Sequence, residues 1–119
     1  MIEHRQLISR GLEEFLKRLQ ARDCWITFEA NGNEHWLQCA RGQINMDWPF
    51  SHAPESQQLQ EYFGALAPFE VVDWDTDMYA TINIGKSETE ALAPAIDRVF
   101  RDIYDLGPDY VLSYKLEDA

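Results

Sequence analysis

From Cys24 to Trp48, CWITFEANGNEHWLQCARGQINMDW, apolar and polar residues alternate almost one for one. That period sends successive side chains to opposite faces of a strand. The alternation is broken at Asn31-Gly32 and Arg41-Gly42. Asn-Gly is a strong hairpin signal, because both central residues of a type I′ turn need positive φ. If each pair closes a two-residue loop, Cys24 faces Cys39, Ile26 faces Leu37 and Phe28 faces His35. The second turn then sets Leu37 opposite Met46 and Cys39 opposite Ile44. One face carries Cys24, Ile26, Phe28, His35, Leu37, Cys39, Ile44, Met46 and Trp48. The other is polar except for Trp25 and Trp36, which this register places diagonally. A slip of one residue would bury the charges, so the choice of faces is well specified.

On either side the period changes. Ile8, Leu12, Phe15 and Leu19 recur at helical spacing and predict an amphipathic helix over residues 2–22. Gly11 weakens its interior and marks a point of close packing on the sheet. Leu59, Tyr62, Phe63 and Leu66 predict a short helix from about Pro54 to Leu66. FEVVDW and MYATINI, joined through Asp75-Thr76-Asp77, predict a second hairpin over Phe69–Ile84, with Tyr79, Thr81 and Asn83 on one face and Met78, Ala80, Ile82 and Ile84 on the other. Ser87 followed by Glu90 fits a capping box, and an apolar stripe from Ala91 to Ile103 carries a helix to Tyr104. Pro94 predicts a kink in it or a later start, and Leu106-Gly107-Pro108 predicts its end. Tyr110, Leu112, Tyr114 and Leu116 then alternate as a last strand or an ordered tail. The expected architecture is a single α+β domain over residues 1–119: helix, three-stranded antiparallel meander, short helix, β-hairpin and C-terminal helix, with the helices on one face of the sheet.

Charge changes this picture by being unevenly spread. Residues 1–48 hold six Lys/Arg and seven Asp/Glu, and residues 49–119 hold four and fourteen, giving −1 and −10 of a net −11. A field of that sign repels nucleic acid and anionic membrane and speeds encounter with basic partners. The N-terminal stretch is amphipathic and partly acidic where a signal peptide needs a continuous apolar core, and no apolar run reaches the roughly 20 residues of a spanning helix. The expectation is a cytoplasmic protein with no membrane partner. The two cysteines face one another in the predicted register, but without an oxidising compartment they are expected as buried free thiols.

Chemistry is sparse. Asp73-x-Asp75-x-Asp77 opens like a calcium loop, but Met78 stands where the glycine is required and Ile84 where the bidentate glutamate is, so a solvated acidic turn is expected. His4, His35 and His52 have no ligand spacing, and His35 reads as a hydrogen-bonded core residue. Neither cysteine begins a predicted helix, and no phosphate-binding glycine loop occurs. No enzymatic activity, cofactor or metal is expected. Trp25 and Trp36, with Thr27 on the same face, are the candidate partner-binding residues, since tryptophan is enriched in binding hot spots. The alternative for the two indoles is a covering layer from the later hairpin or the tail.

The element order, the acidity and local echoes such as GLEEFLKRL before CWITFE and YFGAL before FEVVDW resemble the type III secretion chaperone fold. They are similar to the wider set of bacterial chaperone-like proteins built on it, the YbjN and TY-Chap groups among them. The resemblance implies a homodimer with the short helix near the contact, which points to Leu59, Tyr62 and Phe63. It also implies a sheet face that receives an extended segment of a client protein. The alternative function is an acidic immunity or inhibitor protein that masks a basic toxin or enzyme. A predicted strand after the long helix departs from the family's usual ending.

Overall fold

The computed structural model describes residues 3–118; Met1, the Ile2 of the expected first helix, and Ala119 lie outside them. In chain order the elements are α1 (His4–Leu19), β1 (Cys24–Ala30), β2 (His35–Ala40), β3 (Gln43–Asp47), α2 (Ser56–Phe63), β4 (Phe69–Asp75), β5 (Tyr79–Ile84), α3 (Thr89–Arg98) and β6 (Leu112–Asp118). The fold is α+β. The strands form one antiparallel sheet in the order β4-β5-β3-β2-β1-β6, with the helices packed against one face.

The face carrying the apolar residues is the one expected. Ile26, Phe28, Leu37, Cys39, Ile44, Met46 and Trp48 are buried there beneath Ile8, Leu12 and Phe15 of α1 and Leu92, Ile96, Val99 and Phe100 of the C-terminal helical segment. Gly11 marks the closest approach of α1. A Cβ built on it would lie 2.9 Å from Ile26 Cδ1 and 3.2 Å from both Phe28 and Tyr114 ring carbons. Both cysteines are buried free thiols.

The register of the first hairpin is different from the expected one. Ile26 faces Cys39, Phe28 faces Leu37 and Ala30 faces His35, so the Cys24–Cys39, Ile26–Leu37 and Phe28–His35 pairings do not occur. Asn31 and Gly32 do adopt positive φ, of 51° and 82°. The loop nonetheless runs on to Glu34, and Asn31 at its start bonds to Val111, just ahead of β6. Its N–H donates to the Val111 carbonyl at 2.8 Å, and its side-chain Oδ1 accepts from the Val111 N–H at 3.0 Å. The shift is two residues, so the choice of faces survives it. The second turn pairs Leu37 with Met46 and Cys39 with Ile44 as expected.

Later elements bring smaller corrections. Helix α2 starts at Ser56, leaving Pro54 outside, and a 3₁₀ turn carries it to Leu66. The cap of α3 is Glu88, not Ser87, and no side chain closes a capping box there. Pro94 stands inside α3, which then widens over Val99–Ile103 so that Tyr104 N–H reaches the Val99 carbonyl five residues back. Met78 lies in the β4–β5 turn and is exposed, not on the apolar face. The final segment is a strand: β6 pairs along the whole of β1.

Candidate functional site

The second hairpin and the final segment extend the sheet sideways, on β3 and β1 respectively, and do not fold over it. The covering layer considered for the two tryptophans is therefore absent among the described residues. What remains is an uncovered face, made by the alternate residues of every strand. It carries Ser113, Lys115 and Glu117 of β6, Trp25, Thr27 and Glu29 of β1, Trp36 and Gln38 of β2, Gln43, Asn45 and Asp47 of β3, Tyr79, Thr81 and Asn83 of β5, and Glu70, Asp73 and Asp75 of β4. A β-bulge between Val71 and Asp73 turns Val72 outward and brings Asp73 onto this side.

Hydrogen bonds across the strands hold the face. Gln38 Nε2 donates to Thr27 Oγ1 at 3.2 Å, Thr81 Oγ1 to Asn45 Oδ1 at 2.9 Å, and Gln43 Nε2 to Asn83 Oδ1 at 3.0 Å. Lys115 lies between Glu29 at 3.7 Å and Glu117 at 3.8 Å. At the opposite edge, Glu70, Asp73, Asp75 and the turn residue Asp77 make no ion pair among the described residues. Tyr79 donates to Asp73 at 2.7 Å, and that bond, together with the charges of Asp73 and Asp75, raises the phenol above its usual range.

Of the residues expected to bind a partner, Trp25 and Trp36 are both half-buried on this face, while Thr27 is buried under Gln38. The expected diagonal placement of the indoles is not found. Trp36 stands opposite Glu29, four residues along β1 from Trp25, which at about 3.3 Å per residue is about 13 Å. The two-residue change of register separated them. Among the residues expected at a dimer contact, Leu59 and Phe63 are buried in the chain's own core, and Tyr62 reaches the surface beneath the Arg98 guanidinium.

Pairwise spacing in the sequence gave no sign of a second polar centre. Asp97, on α3, is buried, and its Oδ1 accepts from the Tyr110 hydroxyl at 3.0 Å and from Arg101 Nε at 3.1 Å; Arg5 Nε lies 3.7 Å from Oδ2. These residues line a groove of about 730 Å³ with His4 and Asp109. From His4 a line of rings runs inward: His4 stacks on Tyr110 at 3.7 Å, Tyr110 on Phe100 at 5.4 Å, Phe100 meets Tyr104 edge-on at 5.4 Å, and Tyr104 stacks on His35 at 4.6 Å. His35 is half-buried, as expected of a hydrogen-bonded core residue, with Nδ1 2.7 Å from Asp47 Oδ2. The Tyr104 hydroxyl lies 2.7 Å from the Asp47 carbonyl and 3.1 Å from that of Trp36. Burial, reinforced by Asp97 for Tyr110 and by Asp47 for Tyr104, raises both phenols well above their ordinary range.

This centre ties α1, α3 and the approach to β6 together. Both arginine side chains are largely exposed, at 58% and 44%, so solvent screens the ion pairs. The stabilisation comes mainly from the bond to the buried Tyr110 hydroxyl. Asp97→Ala is expected to cost about 2 kcal/mol by orphaning that hydroxyl, and Asp97→Asn, which keeps an acceptor, clearly less. Urea titrations that rank the two variants equal would remove this account. No cluster of three or more His, Cys, Asp or Glu is placed to hold a metal ion among the described residues, and no described helix is long and apolar enough to cross a membrane. No family model matches the chain, and neither a curated protein nor a solved structure matches it.

Proposed function

We propose that the protein is a non-enzymatic protein-binding module, working as a cytoplasmic homodimer, and that the uncovered sheet face receives a basic protein partner. The observation that carries this reading is the one-sided sheet. On its free side stand six carboxylates and one lysine, and cross-strand amide and hydroxyl bonds brace the neutral side chains among them before anything binds. A rigid charged surface loses little on docking and steers an oppositely charged partner during encounter.

Two forms of the module differ in what they hold. The inhibitor form, which masks a basic toxin or enzyme, is favoured by the unpaired carboxylates Glu70, Asp73, Asp75 and Asp77 on one hairpin. The chaperone-like form, which holds a client segment, is favoured by the half-buried indoles of Trp25 and Trp36. Separated along β1 and β2, those indoles do not make a continuous apolar groove, so the inhibitor form is the better supported. Nucleic acid and anionic membrane are disfavoured as partners by the same charge.

The test is association with the partner recovered from source lysate, measured as a function of salt. Neutralising Asp73, Asp75 and Asp77 to asparagine is expected to slow association by about tenfold at low salt and to flatten the salt dependence. The chaperone-like form predicts instead that Trp25→Ala and Trp36→Ala dominate and that binding persists at high salt. A partner indifferent to both sets of substitutions would sink the assignment of this face.

A further inference from the structure

The two edges of the sheet are not equivalent. Strand β4 is guarded in the usual ways, by a bulge and by carboxylates at Glu70, Asp73 and Asp75. Strand β6 is regular over its seven residues, with no bulge and no proline. Its hydrogen-bonding parity follows from the Asn31–Val111 pair, whose Asn31 N–H donates to the Val111 carbonyl. Counting on from it, Ser113, Lys115 and Glu117 turn N–H and C=O toward β1. Leu112, Tyr114, Leu116 and Asp118 turn theirs away. Those outward groups have no backbone partner among the described residues.

We propose that this edge is the homodimer interface: β6 of a second copy pairs antiparallel with it, in the register centred on Leu116. The interface rests on the homodimer reading above and specifies where the copies meet. Only registers that bring outward-facing residues opposite one another satisfy the free groups. Centred on Lys115, such a pairing sets two ammonium groups face to face. Centred on Tyr114, it puts Lys115 opposite the partner's Ser113 and makes no ion pair. Centred on Leu116, it places each Lys115 directly opposite the partner's Glu117, twice by symmetry, while Tyr114 bonds the partner's Asp118.

Charge favours a second copy as the occupant. The β6 flank carries Arg18 and Arg22 of α1, which bind Asp118 at 3.6 Å and 3.2 Å, so its acid is partly balanced by base. The unpaired carboxylates of the β4–β5 hairpin lie five strand spacings away, or about 24 Å, beyond the Debye length of about 8 Å at physiological ionic strength. Two copies joined at β6 therefore keep their most acidic regions at opposite ends.

Sedimentation equilibrium of the full chain tests this. The wild type is expected to dimerise with rising concentration, and Lys115→Glu to raise the dissociation constant at least tenfold by turning two attractive pairs repulsive. The double variant Lys115→Glu with Glu117→Lys restores the pairing. Lys115 is an exposed side chain, so these variants keep the fold. Amide exchange gives an independent readout. The Tyr114 and Leu116 amides are expected to gain protection with concentration, while Lys115, already bonded to β1, does not. A dimer indifferent to Lys115→Glu, with Leu116 still exchanging freely, would refute the interface and leave the homodimer standing. A chain that stays monomeric would refute both.

Discussion

Raising the pH from about 9 to about 11 is expected to unfold the protein. Burial pushes the Cys39 thiol from about 9 up to about 12, and it pushes the hydroxyls of Tyr104 and Tyr110 up from about 10. In the window between the unfolded and folded values the native state holds protons that the unfolded chain has released. Stability is then fully present below the unfolded value and falls as pH rises through the window. Each such group contributes about 1.4 kcal/mol per pH unit. Cys39 alone removes about 3 kcal/mol between pH 9 and 11, and the two phenols add to the slope above pH 10. For a domain stabilised by about 5–15 kcal/mol that sum is decisive. Circular dichroism and tyrosinate absorbance followed on one sample should show the two buried phenols ionising together with loss of secondary structure. All five tyrosines ionising with an ordinary midpoint while the fold persists would refute the account.

Gly11→Val is expected to destabilise the protein by about 3 kcal/mol. The Cβ alone would stand 2.9 Å from Ile26 Cδ1 and 3.2 Å from carbons of Phe28 and Tyr114. Ile26 and Phe28 are wholly buried, so their side chains have little room to retreat, and the two further methyl groups of valine meet the same wall. Gly11→Ala is expected to lose much less, because it recovers about 1 kcal/mol of helix propensity and only side-chain ends must shift. A urea titration that places the valine variant within about 0.5 kcal/mol of the wild type would mean that α1 does not sit this close to the sheet.

These two expectations mark how far the sequence could be read. Gly11 within the apolar stripe of α1 already signalled a close approach, and the alternation from Cys24 to Trp48 already divided the buried face from the free one. Both are local patterns, repeated at a fixed period. The hairpin register was not legible, because a shift of two residues leaves every side chain on the same face, so alternation alone cannot tell the two registers apart. Nor was the groove legible: Asp97, Arg101 and Tyr110 lie within one stretch, but Arg5 and His4 join them only because α1 packs against α3. Trp25 and Trp36 were assigned to the right face and given the wrong spacing, because the two-residue shift keeps faces and changes neighbours. Composition located the excess acid in the second half of the chain. The β4–β5 hairpin then gathered part of it at one edge, where the nearest lysine of the sheet cannot neutralise it.

A sheet with helices on one side only divides the chain's positions into two kinds with different freedom to change. Substitutions at Ile26, Leu37 or Met46 meet a packed neighbour and are weighed first by whether the protein still folds. Substitutions at Gln38, Asn45 or Asp73 meet solvent and a strand partner, and are weighed first by what they do to a visitor. Descendants of this chain can therefore exchange one recognition chemistry for another, residue by residue along alternate strand positions, without passing through an unfolded ancestor.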